Sequence, residues 1–301
     1  MAEDNDIRWG IERRFEFIEW RVYWAGRVNR KDLENEFKIS TPQASVDLRR
    51  YQEAMPGNIE YDSTAKAYVA SSGFRPKVLR LSPERYLLQV HALTAEAIQK
   101  SDTWFDEVPA VGIAPVIARG PEAYTLRAIL KTISMRGEID INYLSLTRTG
   151  VRTVRPHSLA YDGQRWHARA LSMEHGEYRD YVLGRILSVS EPRSSNADPS
   201  DDVEWNTFVE LKLIAHPKLD VLQRGTIEHD YKMKNGELAV PMRVALAFYF
   251  IKRNNLDLRN GEIPPERAQL FLQNFDEVNG VAMETRERSH ALVKRRQAKS
   301  A

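Results

Sequence analysis

Two short amphipathic segments separated by three residues constrain this chain more than any other feature. In VNRKDLENEFKISTPQASVDLRRYQEA, residues 28–54, Leu33 and Phe37 lie four apart, and Ala44, Leu48 and Tyr51 repeat the i, i+4, i+7 stripe of a helix buried along one face. Lys38, Ile39 and Ser40 leave room only for a tight turn between the two helices. Thr41 is expected to cap the second helix, and Pro42 suits its first position, where no N–H is needed. With one face committed to packing, the outward residues are Gln43, Ser45, Val46, Arg49 and Arg50. These side-chain types meet major-groove edges and phosphates: glutamine bonds adenine bidentately, and a valine methyl meets thymine. The following stretch, NIEYDSTAKAYVAS, alternates Ile59 and Tyr61, then Tyr68 and Ala70, around the loop DSTAK, a hairpin that presents Lys66. Helix, turn, helix and hairpin in that order predict a winged helix-turn-helix over residues 1–72. Thr41, Gln43, Ser45, Val46, Arg49, Arg50 and Lys66 are its expected DNA-facing residues. The simpler alternative is a helical hairpin that only packs or dimerises.

Composition narrows the chemistry. The 301 residues suffice for two or three domains, and 42% hydrophobic with 29% charged residues is ordinary for a globular chain. Cysteine is absent, which excludes disulfides, thiolate chemistry and Cys-ligated zinc. A net charge of +2 does not announce a nucleic-acid binder, so any DNA contact must come from local arrangement of charge. The acidic start MAEDNDIRWG is unlike a signal peptide and no apolar run is long enough to span a bilayer, so the expectation is a cytoplasmic protein without a membrane partner. There is no GxxxxGK[ST] loop, no GxG and no HExxH pair. Neighbours such as His157 and Ser158 point apart in a strand and do not build a nucleophile with its base. No catalytic residue, metal or cofactor is expected, and the chain does not read as an enzyme.

Along the chain, Ile7, Ile11, Phe15, Ile18, Val22 and Ala25 space an amphipathic helix over 6–25, whose other face carries Trp9, Trp20, Tyr23 and Trp24 as extra core or as a dimer contact. Residues 73–136 read as a helical connector, with helices over 83–100, begun by Ser82 and Pro83, and over 121–136, and a Pro- and Gly-containing loop between. Over 137–193 the pattern changes to period two, with IDINYLSL, VRTVRPHSLAY, RWHARALSM and RDYVLGRILSVS separated by turns, which predicts a small antiparallel barrel or strongly bent sheet. The polar PRSSNADPSDD reads as a linker into an α/β module over 194–288. This module is expected to run as strand FVELKLIAH, helix PKLDVLQRG, the stretch GELAVPMRVAL that begins as a strand and passes into the apolar helix ALAFYFIKRN, and helix PPERAQLFLQNF. The basic tail, 289–301, reads as a frayed end.

In the period-two region the cations are Arg148, Arg152, Arg155, Arg165, Arg169, Arg179, Arg185 and Arg193, with no lysine. Guanidinium offers a flat fork of donors to phosphate or carboxylate, where solubility alone would be served equally by lysine. In RWHARA, alternation puts Arg165, His167 and Arg169 on one face, expected to be cationic and polar, and Trp166 and Ala168 on the core face. The alternative is a face paired with neighbouring acids such as Asp140, Glu174, Glu177 and Asp180.

Trp166, His167, Ala168 and Arg169 after the turn DGQ, then Tyr178, Arg179, Tyr181, Leu183, Gly184, Arg185 and Ile186, resemble the WYL domain, a small Sm-like barrel of bacterial regulators. The order winged helix-turn-helix, WYL barrel and C-terminal extension resembles that family across nearly the whole chain. The QASVDLRRY helix and the WHARA variant are most similar to regulators of the BrxR/CapW kind, associated with anti-phage defence operons. The resemblance implies an α+β multidomain fold: a winged helix-turn-helix, a helical connector, a small Sm-like/SH3-like β-barrel and a C-terminal α/β module. It further implies a homodimeric repressor on a palindromic double-stranded operator. Its barrel would sense a nucleotide or oligonucleotide effector, with Tyr143, Ser145, His157, His167, Arg169, Arg179 and Arg185 as pocket candidates. His167 and Ala168 replace the eponymous tyrosine and leucine, so the role of that tyrosine hydroxyl does not carry over. The competing expectation is an RNA- or single-strand-binding adaptor, because arginine-plus-aromatic faces suit such ligands.

Overall fold

The computed structural model describes residues 2–114, 120–196, 198–258 and 262–300, and the chain divides into two compact units, Met1–Val116 and Ile117–Ala301. In the first unit, α1 (Ala2–Ala25) buries Phe15, Ile18 and Val22 against α2 (Arg30–Phe37) and α3 (Thr41–Ala54), where Leu33, Ala44, Leu48 and Tyr51 complete the core. The α2 start is set by a capping box: Asn29 Oδ1 accepts from the Asp32 amide at 3.1 Å while the Asp32 carboxylate accepts from the Asn29 amide at 2.7 Å. Helix α2 ends at Lys38, whose left-handed backbone (φ 53°) turns the chain sharply. The cap of α3 is Ser40, not Thr41. Ser40 is still extended and its Oγ accepts from the Gln43 amide, so Thr41 and Pro42 occupy the first two helical positions. Serine and threonine are both N-cap types, and the backbone decides between the two adjoining residues.

Strands β2 (Ile59–Asp62) and β3 (Ala67–Ala70) form the expected hairpin. A strand too short to leave a period-two signature, β1 (Arg27–Val28), adds to it in the order β1-β3-β2. Helix α4 (Pro83–Thr94), capped by Ser82 Oγ on the Arg85 amide at 3.0 Å, ends well before residue 100. Trp20 packs with Leu79, Val90 and Phe105, and Trp24 lies against the Tyr86 ring, so these indoles are core. Trp9 (67%) and Tyr23 (47%) stay exposed. The segment expected as a loop over 102–121 includes residues 115–119, which lie outside the described residues.

The second unit opens with α5 (Ala123–Ser134), which lays Ala128 and Ile129 on an antiparallel sheet of β4 (Ile139–Leu144), β5 (Thr149–Tyr161), β6 (Trp166–Ser172), β7 (Glu177–Val182) and β8 (Ile186–Val189). Strand order is β7-β6-β5-β4-β8. Register shifts between Pro156 and Ser158 on β5 and between Asn142 and Tyr143 on β4 bend the sheet. Among the described residues β7 and β8 do not pair, so the expected barrel is an open, bent sheet.

Beyond it, short α6 (Val203–Asn206) leads into β9 (Phe208–Ala215), flanked by β10 (Glu237–Arg243) and β11 (Leu270–Leu272) and covered by α7 (Val221–Asp230), α8 (Val244–Arg253) and α9 (Phe275–Ser300). The stretch expected as a helix over PPERAQLFLQNF contains β11 instead. Leu270 and Leu272 alternate into the core, opposite Ala215 and Leu213 of β9. A three-residue strand cannot be told from a helical turn by spacing alone. The expected frayed tail is the last part of α9: Ser289 and Val293 are buried, and Arg296 pairs with Asp201 and Asp198.

Candidate functional site

The first unit carries the face expected to meet DNA. Arg49 and Arg50 lie exposed on α3, with no hydrogen bond or ion pair among the described residues. Thr41 is exposed at the helix start and its carbonyl accepts from Ser45 Oγ at 3.0 Å; Val46 is half-buried. Gln43, also half-buried, donates from Nε2 to Asp47 Oδ1 at 3.0 Å. In the wing, Asp62 Oδ1 accepts from the Thr64 and Ala65 amides at 2.7 and 3.0 Å. That turn leaves Lys66 exposed in a left-handed conformation (φ 50°). The structure therefore brings the exposed cations Arg49, Arg50 and Lys66 into the same small unit on the two elements that a winged helix-turn-helix directs at DNA.

Behind that face sits a residue the sequence did not single out. Glu19 of α1 is fully buried and accepts from Tyr51 Oη at 2.9 Å and from the amides of Lys77, Val78 and Leu79 at 2.8, 2.9 and 2.6 Å. Asn58 Nδ2 donates to Tyr51 Oη, and Asn58 Oδ1 accepts from the Arg75 amide. Burial first, and Glu19 beside it, push the Tyr51 phenol well above its ordinary range. One carboxylate thus fastens α3 to α1 and to the segment leaving the wing. Glutamate within an amphipathic helix carries no sequence signal of that role.

In the second unit the expected polar face of β6 is buried: His167 is 2% and Arg169 4% exposed. The Arg169 guanidinium donates from Nε and Nη2 to Asp202 at 2.7 and 3.0 Å, from Nη2 to Glu204 at 2.9 Å and from Nη1 to Asp180 at 3.4 Å. Asp202 and Glu204 come from the stretch that composition suggested to be linker and from α6. Asp202 also meets His157 Nε2 at 2.9 Å, and its partners hold its carboxyl below the usual range against the opposing effect of burial. Tyr249 of α8 donates to Asp180 at 3.0 Å and its ring lies 5.1 Å from that of His167, whose Nε2 meets Asp162 at 2.9 Å. Burial acts to raise the Asp162 carboxyl, but His167 and the Gln164 and Arg165 amides bring it down to about 2.

The remaining pocket candidates are dispersed. Tyr143 is buried, and its hydroxyl accepts from the Val182 amide at 3.1 Å. Ser145 braces the β4–β5 turn, donating to the Arg148 carbonyl at 2.7 Å and accepting from the Arg148 amide at 2.8 Å. Arg179 pairs with Glu177 at 3.1 Å, and Arg185 makes no side-chain bond among the described residues. A polar cavity of about 290 Å³ is lined by Arg169 and Arg179 together with Tyr178, Glu204, Arg286 and His290; Tyr143, Ser145, His157, His167 and Arg185 do not line it. Most arginines of the sheet meet carboxylates: Arg148 and Arg152 on Glu174, Arg155 on Glu138, Arg165 on Asp162, and Arg193 on Glu138 and Asp140. Hydrogen bonds from Arg193 and Thr153 hold Asp140 down to about 2. No group of acidic or histidine side chains among the described residues could hold a metal ion, and no described helix is long and apolar enough to cross a membrane.

Three family models match separate stretches of the chain. Residues 10–92 match the family model of the BrxR transcriptional regulator winged helix-turn-helix domain, residues 124–191 the WYL domain, and residues 208–278 the BrxR transcriptional regulator C-terminal dimerization domain. The chain is 38% identical over 276 residues to the DNA-binding transcriptional repressor CapW of Escherichia coli (strain KTE188), covering 90% of this chain and 91% of that one. It is 36% identical over 273 residues to CapW of Pseudomonas aeruginosa, with the same coverage, and 32% identical over 286 residues to CapW of Stenotrophomonas maltophilia, covering 94% and 96%. With such identity maintained across nine-tenths of both sequences, the chain belongs to the CapW family of DNA-binding transcriptional repressors.

Proposed function

We propose that this chain is a homodimeric, sequence-specific DNA-binding repressor that places α3 in the major groove and the Lys66 wing on the flanking backbone. The observation that carries the reading is the pair Arg49 and Arg50, exposed and without an ion pair among the described residues, on a helix whose opposite face is core. A guanidinium that meets no carboxylate is free for phosphate or guanine. Regulation of transcription rather than catalysis is also what the relatives' names describe. Dimerisation is assigned to the segment matching the dimerization domain, where Val221, Leu222 and Phe248 are exposed apolar side chains. Two recognition helices about one helical turn apart read a palindrome. The effector is assigned to the polar cavity between β7 and α9, where the half-exposed Arg179 and the exposed Arg286 suit a phosphate-bearing nucleotide or oligonucleotide. Such a ligand regulates only if it binds the DNA-competent and incompetent states unequally.

Fluorescence anisotropy of the full chain tests the reading, titrated onto the duplex upstream of its own gene, a scrambled duplex and the single strands, at two salt concentrations. Tight binding confined to the native duplex is the expected result. Equal, salt-labile binding to both duplexes, or preference for single strands, overturns it in favour of the adaptor.

A further inference from the structure

Asp47 is an unusual residue to find on the inner side of a recognition helix. Its carboxylate is completely buried, one oxygen 2.7 Å from Nε of Arg14 on α1 and the other accepting the amide hydrogen of Gln43 one turn earlier on α3. An apolar residue would fill that position without the cost of burying a charge, and a buried ionic group is a poor source of stability. What the arrangement does accomplish is orientation. A carboxylate only accepts, so it meets the NH2 end of the glutamine amide and turns the oxygen away. Gln43 Oε1 has no partner among the described residues.

We infer that Asp47 and Arg14 are positioning residues for base recognition: they hold the Gln43 amide in the one orientation that favours adenine over guanine at the base pair it meets. The inference rests on the assignment of α3 as the recognition helix. With one Nε2 hydrogen given to Asp47, Gln43 presents its oxygen and one remaining N–H, which match the N6 amino group and N7 of adenine. Guanine shows only acceptors, N7 and O6, at those places, and the held oxygen opposes O6. An amide free to flip would offer its donors to guanine instead. Arg14 completes the device as the charge partner of the second oxygen of Asp47, 2.7 Å away.

The test measures anisotropy of the full-length protein on the upstream duplex and on every single-base-pair substitution of it. Gln43→Ala is expected to flatten the preference at one base pair per half-site. Asp47→Asn, whose amide can donate to or accept from Gln43, is expected to narrow the adenine-over-guanine ratio at that same base pair by about tenfold and to leave the other positions alone. In the Gln43→Ala background it should change no preference further. Uniform weakening on all duplexes, or an Asp47→Asn effect that persists undiminished without Gln43, overturns the inference and reduces Asp47 to a packing residue. Should Asp47→Asn fail to fold, Arg14→Gln frees one Asp47 oxygen and is expected to narrow the same ratio by about threefold; unchanged discrimination there also overturns it. Joint replacement of Arg49 and Arg50 by alanine separates the two readings. Intact operator binding would remove the recognition helix itself, whereas lost binding beside unaltered discrimination in the Asp47 and Arg14 variants overturns the positioning role alone.

Discussion

Arg49 and Arg50 stand exposed on α3 with no ion pair among the described residues, while Arg169 on β6 is buried among Asp202, Glu204 and Asp180. The same side chain is used in opposite ways. An exposed guanidinium keeps its hydration until a phosphate or base replaces it, so it can wait unpaired. A buried one must be neutralised and hydrogen-bonded at once, since its desolvation costs several kcal/mol (about 3–5 if the pairing is broken). Neighbours, not residue type, decide which arginines remain available to a ligand. By that measure α3 is open and most of the arginine-rich sheet is closed on itself, leaving Arg185 without a side-chain bond among the described residues and Arg179 and Arg286 at a cavity rim.

The largest effect is expected at the closed end of that comparison. Arg169→Ala removes the buried cation shared by three carboxylates and should destabilise the second unit by about 3–5 kcal/mol in chemical denaturation; a loss below about 1 kcal/mol would show that the cluster is not holding the sheet to α6. At the open end, Arg49→Ala or Arg50→Ala should cost about 1–3 kcal/mol in operator binding for a base contact, while the melting profile stays within about 0.5 kcal/mol of wild type. A stability loss as large as the binding loss would erase the contrast. Lys66→Ala is expected to do less, weakening all sequences alike and lowering the slope of log K against log salt by about one. The smallest effect is in acid. Asp140 and Asp162 titrate near pH 2 in the folded state, below the ordinary carboxylate value of about 3.9, so their stabilisation is complete above about pH 4 and lost as pH falls toward 2. Asp162→Asn should flatten the stability curve across that window, and an unchanged curve would detach Asp162 from the His167 contact.

Much of the first unit was legible because its signals are local. The i, i+4, i+7 stripe of Ala44, Leu48 and Tyr51 fixes which side of α3 is buried, and what remains must face outward. The boundary error at Thr41 was one residue, where two capping types adjoin. The second unit was harder for a physical reason: its decisive contacts join residues far apart in sequence. Asp202 looked like linker and, with Glu204 just beyond it, meets Arg169 more than thirty residues away, and Ser289 and Val293 looked like a frayed tail yet are buried. Period-two spacing correctly announced the strands of the sheet but not whether its edges would close, because closure depends on bulges and edge pairing that side-chain alternation does not encode. Gln43 is expected at the DNA face from its type and position, but Asp47 behind it carries no such signal, since a charged residue in a helix is ordinarily solvated.

By itself the sequence determined the helix-turn-helix, the hairpin wing, the strand-rich middle and the absence of cysteine chemistry, all of which follow from the period of apolar residues and from composition. Tertiary structure alone decided which charges are spent internally and which stay free, that the sheet remains open, and that a buried carboxylate sits behind the glutamine of the recognition helix. The division has one cause: periodicity reports how a segment meets its surroundings, whereas the partner of a charge is set by whichever distant residue the fold brings within about 3 Å.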